Sequence, residues 1–307
     1  MVGNSMPKNE LVSVIMPAFR MGRFIAEALA SVGAQTYGDW EVIVVDDHAP
    51  EDGTADLVQA FAKAWPGKRV ELIRHEVNRG VSAARNTAIR AAQGEFLAFL
   101  DPDDRWFPDH LKKSMDLFKS RPELDVTAGP VEVHATKQDQ EVVRVHPKEN
   151  WPYTFFPHSL TLYNFITTCA TVVRSSALDE VGVFDEDPKI QHIEDYDLLI
   201  RLAEGRKKFG FLKEPTSVYR IHGQGATADL ERMQRLHNYF GAKHPDFLRY
   251  SNARLQKQAM DQNEQVMQRL AELEHMVNGP MFRVSRLVDK ALRRVWRSMR
   301  GKRLTRS

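Results

Sequence analysis

Three short runs of acidic residues have the types and spacing to do chemistry: Asp46-Asp47, Asp101-Pro102-Asp103-Asp104 and Glu194-Asp195-Tyr196-Asp197. The middle run follows five apolar residues, 96–100. A short apolar run bounded by turn formers reads as a buried strand, and a strand that ends in carboxylates delivers them to the C-terminal edge of a sheet, where ligands bind. Pro102 fixes φ and withholds an N–H, so Asp101 and Asp103 are held in a turn that cannot continue the strand. Paired carboxylates of this kind can hold a hard divalent cation whose remaining positions go to water or phosphate oxygens. The competing reading is an acidic turn that caps a helix starting near Asp109.

The elements that would position these acids alternate strand and helix. Residues 11–16 form an apolar strand stopped by Pro17, and 24–35 are helical, with Phe24, Ile25, Ala28, Leu29 and Val32 on one side. The next strand, 41–45, ends at Asp46-Asp47. Thr54 is expected to N-cap a helix that runs to about Ala64, followed by a strand over 70–74 and a helix over 80–93 ended by Gly94. Strand and helix repeated at this spacing predict a mainly parallel sheet flanked by helices. Beyond Trp106 the pattern loosens: a helix over 109–119, β-like runs at 131–134, 141–146, 169–174 and 217–221, and a helix over 195–204. These later strands are expected to extend the same sheet and add a second binding surface.

With 307 residues, 42% hydrophobic and 27% charged, the composition is that of an ordinary soluble protein. The single cysteine, Cys169, excludes an intramolecular disulfide and a Cys-rich zinc site, in keeping with a reducing compartment. There is no 18-residue apolar run and no secretory pattern at the N-terminus, so the expectation is a cytoplasmic chain that does not span a membrane.

The motifs together resemble the family 2 glycosyltransferases of the GT-A fold. Val14-Ile-Met-Pro-Ala-Phe19 ends the first strand, and Val45-Asp-Asp47 followed by Glu51-Asp-Gly-Thr54 ends the second. Asn78-Arg-Gly-Val-Ser-Ala-Ala-Arg-Asn86 opens the helix before the DxD-like Asp101-Pro-Asp103. Gly182-Val-Phe-Asp185, Glu194-Asp-Tyr-Asp197 and Tyr219-Arg-Ile-His222 complete the series, which covers about 12–225. The resemblance implies an inverting, metal-dependent transfer from a nucleotide-diphosphate sugar, by default a UDP-sugar, to a hydroxyl on a cell-surface or lipid-linked glycan. A non-catalytic sugar-nucleotide or glycan binder and a nucleotidyltransferase are the alternatives.

On that resemblance Asp47 matches the carboxylate that contacts uracil, with Pro17, Ala18 and Phe19 lining the same pocket. Arg79 and Arg85 flank a helix start, where exposed N–H groups favour an anion, and are expected to face phosphate or to fix the acid pairs. Asp103 matches the principal ligand of Mn²⁺ or Mg²⁺; Asp101 and Pro102 lie beside it at the donor, and His222 is a candidate for the metal or the diphosphate. Asp195 matches the catalytic base, Glu194 is expected to position the acceptor or share the proton, and Asp197 to be structural. Two departures bear on the base pocket: Arg20 replaces the usual Asn, and the loop after Asp47 is one residue longer than the common form.

The C-terminal region differs in kind. Residues 280–307 hold ten Lys/Arg against one acid, Asp289, while residues 1–279 carry 33 basic and 40 acidic residues, a net of −7. Residues 231–275 read as a polar helix in which Asn263, Val266, Leu270, Leu273 and Val277 follow a short heptad seam, a helix packed on its own domain or a homodimer coil. After the break at Asn278-Gly279-Pro280, residues 281–300 segregate Leu287, Val288, Val295 and Trp296 from Arg286, Lys290, Arg293 and Arg297. Such a basic amphipathic helix suits an anionic membrane surface on the cytoplasmic face; no nucleic-acid partner is expected. The predicted plan is a disordered N-terminus (1–10), the GT-A domain (11–228), a helical extension (229–279) and the basic tail (280–307).

Overall fold

The computed structural model describes residues 10–137, 140–148, 151–154, 156–161, 164–222 and 242–245. The chain divides into two compact units, Met1–Glu149 with Phe165–Gly223, and Asn150–Asn164 with Gln224–Ser307. The expected N-terminal disorder, the helix over 231–275 with its heptad seam and the basic helix over 281–300 fall almost wholly outside the described residues.

The first unit begins with β1 (Val12–Ala18), α1 (Gly22–Gly33), β2 (Trp40–Asp46), α2 (Thr54–Ala64), β3 (Val70–Arg74), α3 (Val81–Ala91) and β4 (Phe96–Phe99). It continues with β5 (Arg105–Trp106), α4 (His110–Ser120), β6 (Val126–Ala128), β7 (Val131–Lys137) and β8 (Gln140–His146). In the second unit the short α5 (Trp151–Thr154) is tied by the Ser159 hydroxyl, which donates to Pro152 O at 2.6 Å. The first unit then closes with β9 (Val172–Arg174), α6 (Ser175–Val181), α7 (Glu194–Glu204), β10 (Phe209–Phe211) and β11 (Ser217–Ile221).

Seven strands form one sheet in the order β10-β6-β9-β4-β1-β2-β3, with β9 antiparallel to both its neighbours and the other pairs parallel. β1, β2 and β4 are buried along their whole length, because helices cover both faces and the two-residue period sends alternate side chains into different cores. Val14, Met16, Val42 and Val44 pack on one side with Ile25 and Leu29 of α1 and Met115 of α4. Ile15, Ile43 and Val45 pack on the other with Ala84 and Ala88 of α3 and Leu198 and Leu202 of α7. Leu29 is 1% exposed, so its truncation to Ala is expected to cost about 2–5 kcal/mol.

The later strands do not all extend this sheet, contrary to the sequence expectation. β6, β9 and β10 do, but β5, β11, β7 and β8 form a separate four-stranded sheet. Gly129 and Pro130 interrupt the chain between β6 and β7, and a proline without an N–H cannot carry one ladder onward. β5 leaves the acid turn directly and pairs antiparallel with β11, Trp106 opposite Ser217, which carries the end of β11 back to the aspartates. The N-cap of α2 also differs: it is Gly53, at φ +81°, and Thr54 is the first helical residue. Asp52 does the capping work, accepting from the amides of Thr54 at 3.1 Å and Gly22 at 2.9 Å, and so joins the starts of α1 and α2.

Candidate active site

The parallel register brings the ends of β1, β2 and β4 to one edge, where the first two acid runs lie. Asp47 follows β2, is 3% exposed and is held from all sides. Its Oδ1 accepts from Arg79 N at 2.8 Å and lies 2.7 Å from His75 Nδ1, and its Oδ2 accepts from Gly80 N at 2.7 Å. His75 Nδ1 faces this carboxylate, and its Nε2 lies 2.9 Å from the Thr87 hydroxyl, which also accepts from Arg90. A carboxylate has about four acceptor positions, so one on Oδ2 is left for a ligand. Gly80 is required here: its φ is +89°, and a Cβ would lie 2.8 Å from Gln191 Nε2. Pro17 and Ala18 are buried at the end of β1, whereas Phe19 is 38% exposed beneath the Arg20 guanidinium, 5.1 Å from the ring centroid.

The amide of Asp104 donates to Asp101 O at 3.0 Å, closing the acid turn around the buried Pro102. Asp103 Oδ2 lies 2.9 Å from His222 Nε2, and the imidazole stacks on Phe24 with ring centroids 4.9 Å apart. Asp104, to which sequence reasoning assigned no role, is 2% exposed. Its Oδ1 accepts from Arg220 N at 2.8 Å and locks β11 to the turn, and the buried Cys169 thiol lies within hydrogen-bonding reach of the carboxyl group. Burial, then the neighbouring acids, push Asp103 and Asp104 above the usual carboxylate range, His222 opposing the shift at Asp103.

Among the described residues no three His, Cys, Asp or Glu side chains gather into a complete metal shell. Asp103 and His222 present two donors, with Asp101 in the same turn. Such a partial set of carboxylate oxygen and imidazole nitrogen donors fits a divalent cation completed by phosphate oxygens and water.

Arg85 is 4% exposed with both ends of its guanidinium engaged, so of its two expected roles the one visible here is fixing the acid pairs. Nη2 donates to Asp101 at 2.7 Å and Nη1 to Glu194 at 2.7 Å, so the arginine spans from the acid turn to the first turn of α7. Burial alone lowers an arginine's pKa; here Asp101 and Glu194 outweigh it and raise the guanidinium. Arg79 keeps an exposed side chain that reaches Glu186 at 3.3 Å. Glu194 accepts from Arg85 and from the His192 amide at 2.6 Å, and these two bonds brace the start of α7.

Asp195 is half-buried. Oδ1 accepts from the Tyr196 amide at 2.7 Å and Oδ2 from the Thr168 hydroxyl at 2.9 Å. Burial, then the Glu194 charge, raise its pKa to about 6 against the pull of Arg85, a value suited to a base near neutral pH. Asp197 is structural, as expected: it is fully buried and pairs with Arg201 Nε at 2.8 Å, and Arg201 donates to the carbonyls of Val181, Gly182 and Val183. His75, Thr168 and Arg201 were missed by sequence reasoning. Each acts on a partner distant in the chain or on backbone, and no local periodicity marks that.

The sequence profile described as "Glycosyl transferase family 2" matches residues 13–182, more than half of the chain. The chain belongs to glycosyl transferase family 2. Its mainly parallel sheet flanked by helices is GT-A-like. It is 40% identical over 111 residues to the putative teichuronic acid biosynthesis glycosyltransferase TuaG of Bacillus subtilis, covering 36% of this chain and 43% of that one. It is 38% identical over 107 residues to the Escherichia coli UDP-Glc:alpha-D-GlcNAc-diphosphoundecaprenol beta-1,3-glucosyltransferase WfgD, covering 35% and 40%. In both cases the match spans less than half of the relative's length. Among solved structures, the mannosyltransferase PcManGT of Pyrobaculum calidifontis, in complex with GDP-Man and Mn²⁺, superposes with TM-score 0.60 at 18% identity, covering 94% of this chain and 86% of that one.

Proposed function

We propose that this family 2 glycosyltransferase moves a sugar from a nucleotide-diphosphate donor to a hydroxyl acceptor by one displacement that inverts the anomeric carbon. The observation that carries this reading is the pairing of two acid sets through one buried residue: Arg85 joins Asp101, beside the Asp103–His222 pair, to the helix turn that bears Asp195. One set suits a donor diphosphate and the other a proton.

In this reading Phe19 offers its exposed face to the nucleobase, and the remaining acceptor position of Asp47 takes a ring N–H. Uracil and guanine both present such an N–H. The name of WfgD includes UDP-Glc and the PcManGT structure is a complex with GDP-Man, and UDP remains the default donor nucleotide. Asp103, Asp101 and His222 would hold Mn²⁺ or Mg²⁺, which supplies Lewis-acid stabilisation of the charge on the departing diphosphate. Arg79, exposed at the start of α3, adds a cation on the same edge. Asp195 takes the proton from the attacking hydroxyl, and its pKa of about 6 leaves it ionised at neutral pH while still basic enough to accept that proton.

The acceptor class we propose is a cell-surface or lipid-linked glycan, on the strength of the relatives' names and of the basic amphipathic pattern at 281–300. That pattern suits peripheral attachment to an anionic membrane. Among the described residues no helix is long and apolar enough to cross one. The test of the mechanism is the product. UDP-glucose, UDP-GlcNAc and GDP-mannose are screened with Mn²⁺, and proton NMR of the product from the accepted donor should show the anomeric configuration inverted. Retention rules out a single displacement; release of pyrophosphate in place of a nucleoside diphosphate points to a nucleotidyltransferase.

A further inference from the structure

The base proposed above has one oxygen held by its own chain and the other by Thr168, a residue in a different part of the fold. Thr168 begins a single 3₁₀ turn, Thr168–Ala170, that leads into β9. The turn is closed by Ala170 N and Thr171 N donating to the carbonyls of Thr167 and Thr168, and by the Thr171 hydroxyl donating to Thr167 O, each at 3.0 Å. Cys169, the next residue, is fully buried, and its carbonyl accepts from Trp106 Nε1 at 2.7 Å. Thr168 itself is 9% exposed. Its hydroxyl therefore rests on a support fixed on both sides, with little freedom to follow a moving carboxylate.

We propose that Thr168 is a positioning residue for Asp195, fixing the direction in which Oδ2 offers its free lone pair and setting how readily it takes a proton. A hydroxyl that donates to a carboxylate favours the ionised form, and a support of this stiffness holds the base within the small tolerance that proton transfer requires. The charged and titratable groups that face Asp195 are Glu194 and Tyr196 on its own helix and Arg85 from α3, with Asp101 on the far end of Arg85. Glu194 and Arg85 act in opposite senses on Asp195 and are bonded to each other, so they set a background that a change at Thr168 leaves in place. Thr168 is neutral and touches the carboxylate directly, which makes it the local control on basicity. This inference rests on Asp195 being the base for its kinetic consequence, but the coupling itself is measurable without turnover.

The experiment is a pH titration of the full-length protein labelled with carboxyl-¹³C aspartate, the Asp195 resonance being assigned from its loss in Asp195→Asn. In wild type the resonance should titrate near pH 6. In Thr168→Val, which keeps the shape and removes the donor, the midpoint should move to higher pH; in Thr168→Ser it should return towards wild type. A midpoint unmoved in Thr168→Val overturns the proposal, whatever the activity. Thr168→Ala is the second variant if the valine form does not fold. In turnover of the accepted nucleotide sugar, Thr168→Val should lose roughly tenfold to a hundredfold in kcat, the range for removing a hydrogen bond to a charged group, with the donor KM unchanged. The acid limb of kcat/KM should follow the NMR midpoint. If Asp195→Asn turns over normally while the midpoint still moves with Thr168, the coupling stands and the base assignment fails.

Discussion

Replacing Arg85 by Met separates two roles that an arginine at a helix start can have. The guanidinium is 4% exposed and is the partner of Asp101 and Glu194, each at 2.7 Å. Methionine fills the volume but leaves Glu194, whose side chain is only 6% exposed, with a single remaining donor, the His192 amide. Removing one partner of a buried ion pair costs about 3–5 kcal/mol, and most of that falls on Glu194, since the Asp101 side chain is 27% exposed and partly solvated. For a unit of this size roughly 2–4 °C of Tm accompanies each kcal/mol, so differential scanning calorimetry should find Tm lower by about 6–20 °C. Arg85→Lys should recover only part of the loss, because one ammonium cannot reproduce a planar fork that bonds two acids. Titration of each variant with UDP and GDP in the presence of Mn²⁺ gives the opposing readout. If Arg85→Met melts within about 2 °C of wild type while nucleotide affinity collapses, Arg85 faces the diphosphate and the bracing argument is wrong.

Three further outcomes follow from the same structure. His110 is fully buried against Trp106, and burial pushes its pKa from 6.5 to about 3, so below pH 6.5 the unfolded chain takes up a proton that the folded chain refuses. Stability should therefore fall as pH drops from 6.5 towards 3, by about 1.4 kcal/mol per unit, and a His110→Phe variant whose denaturation curves keep the same pH slope refutes this. For Asp195, kcat/KM should decline tenfold per unit below about pH 6 and Asp195→Asn should lose roughly 10²-fold or more in turnover with donor binding retained; loss of donor binding alone makes it a binding residue. Truncation after Val277, or Glu at Arg286, Lys290, Arg293 and Arg297, should abolish co-sedimentation with phosphatidylserine vesicles, each basic residue contributing about 1 kcal/mol at the surface, and persistence of binding contradicts the membrane proposal.

The parts of the fold with strong local signals were legible in the sequence. Val70–Arg74 and Ser217–Ile221 have the bounds that periodicity and terminating residues imply, α2 ends at Ala64 as expected, and the first four parallel strands follow from their apolar runs. Strands of two or three residues, such as Arg105–Trp106, Val126–Ala128 and Phe209–Phe211, are too short to show a period, and local periodicity does not say which sheet the longer β7, β8 and β11 join. The acids were legible because a carboxylate at the end of a buried strand is conspicuous by type. What each acid touches was not, since that is decided by partners far away in the chain. Glu194, 109 residues from Arg85, is the partner that makes the arginine a brace between two acid runs. Thr168 reaches Asp195 from an Ile-Thr-Thr-Cys-Ala run that carries no polar periodicity of its own.

The central claim is that the acid turn engages a donor diphosphate through a divalent cation, and the most direct measurement is Mn²⁺-dependent release of nucleoside diphosphate from a nucleotide sugar by wild type and by Asp103→Asn. Asp103 is partly exposed and, among the described residues, its side chain bonds the His222 side chain, so the amide should leave Tm nearly unchanged. Wild type should be stabilised by donor with Mn²⁺ and should release the diphosphate, and Asp103→Asn should do neither, because a neutral amide lacks the anionic oxygen that the cation requires. A folded Asp103→Asn protein that releases nucleoside diphosphate at the wild-type rate with the wild-type Mn²⁺ response contradicts the account.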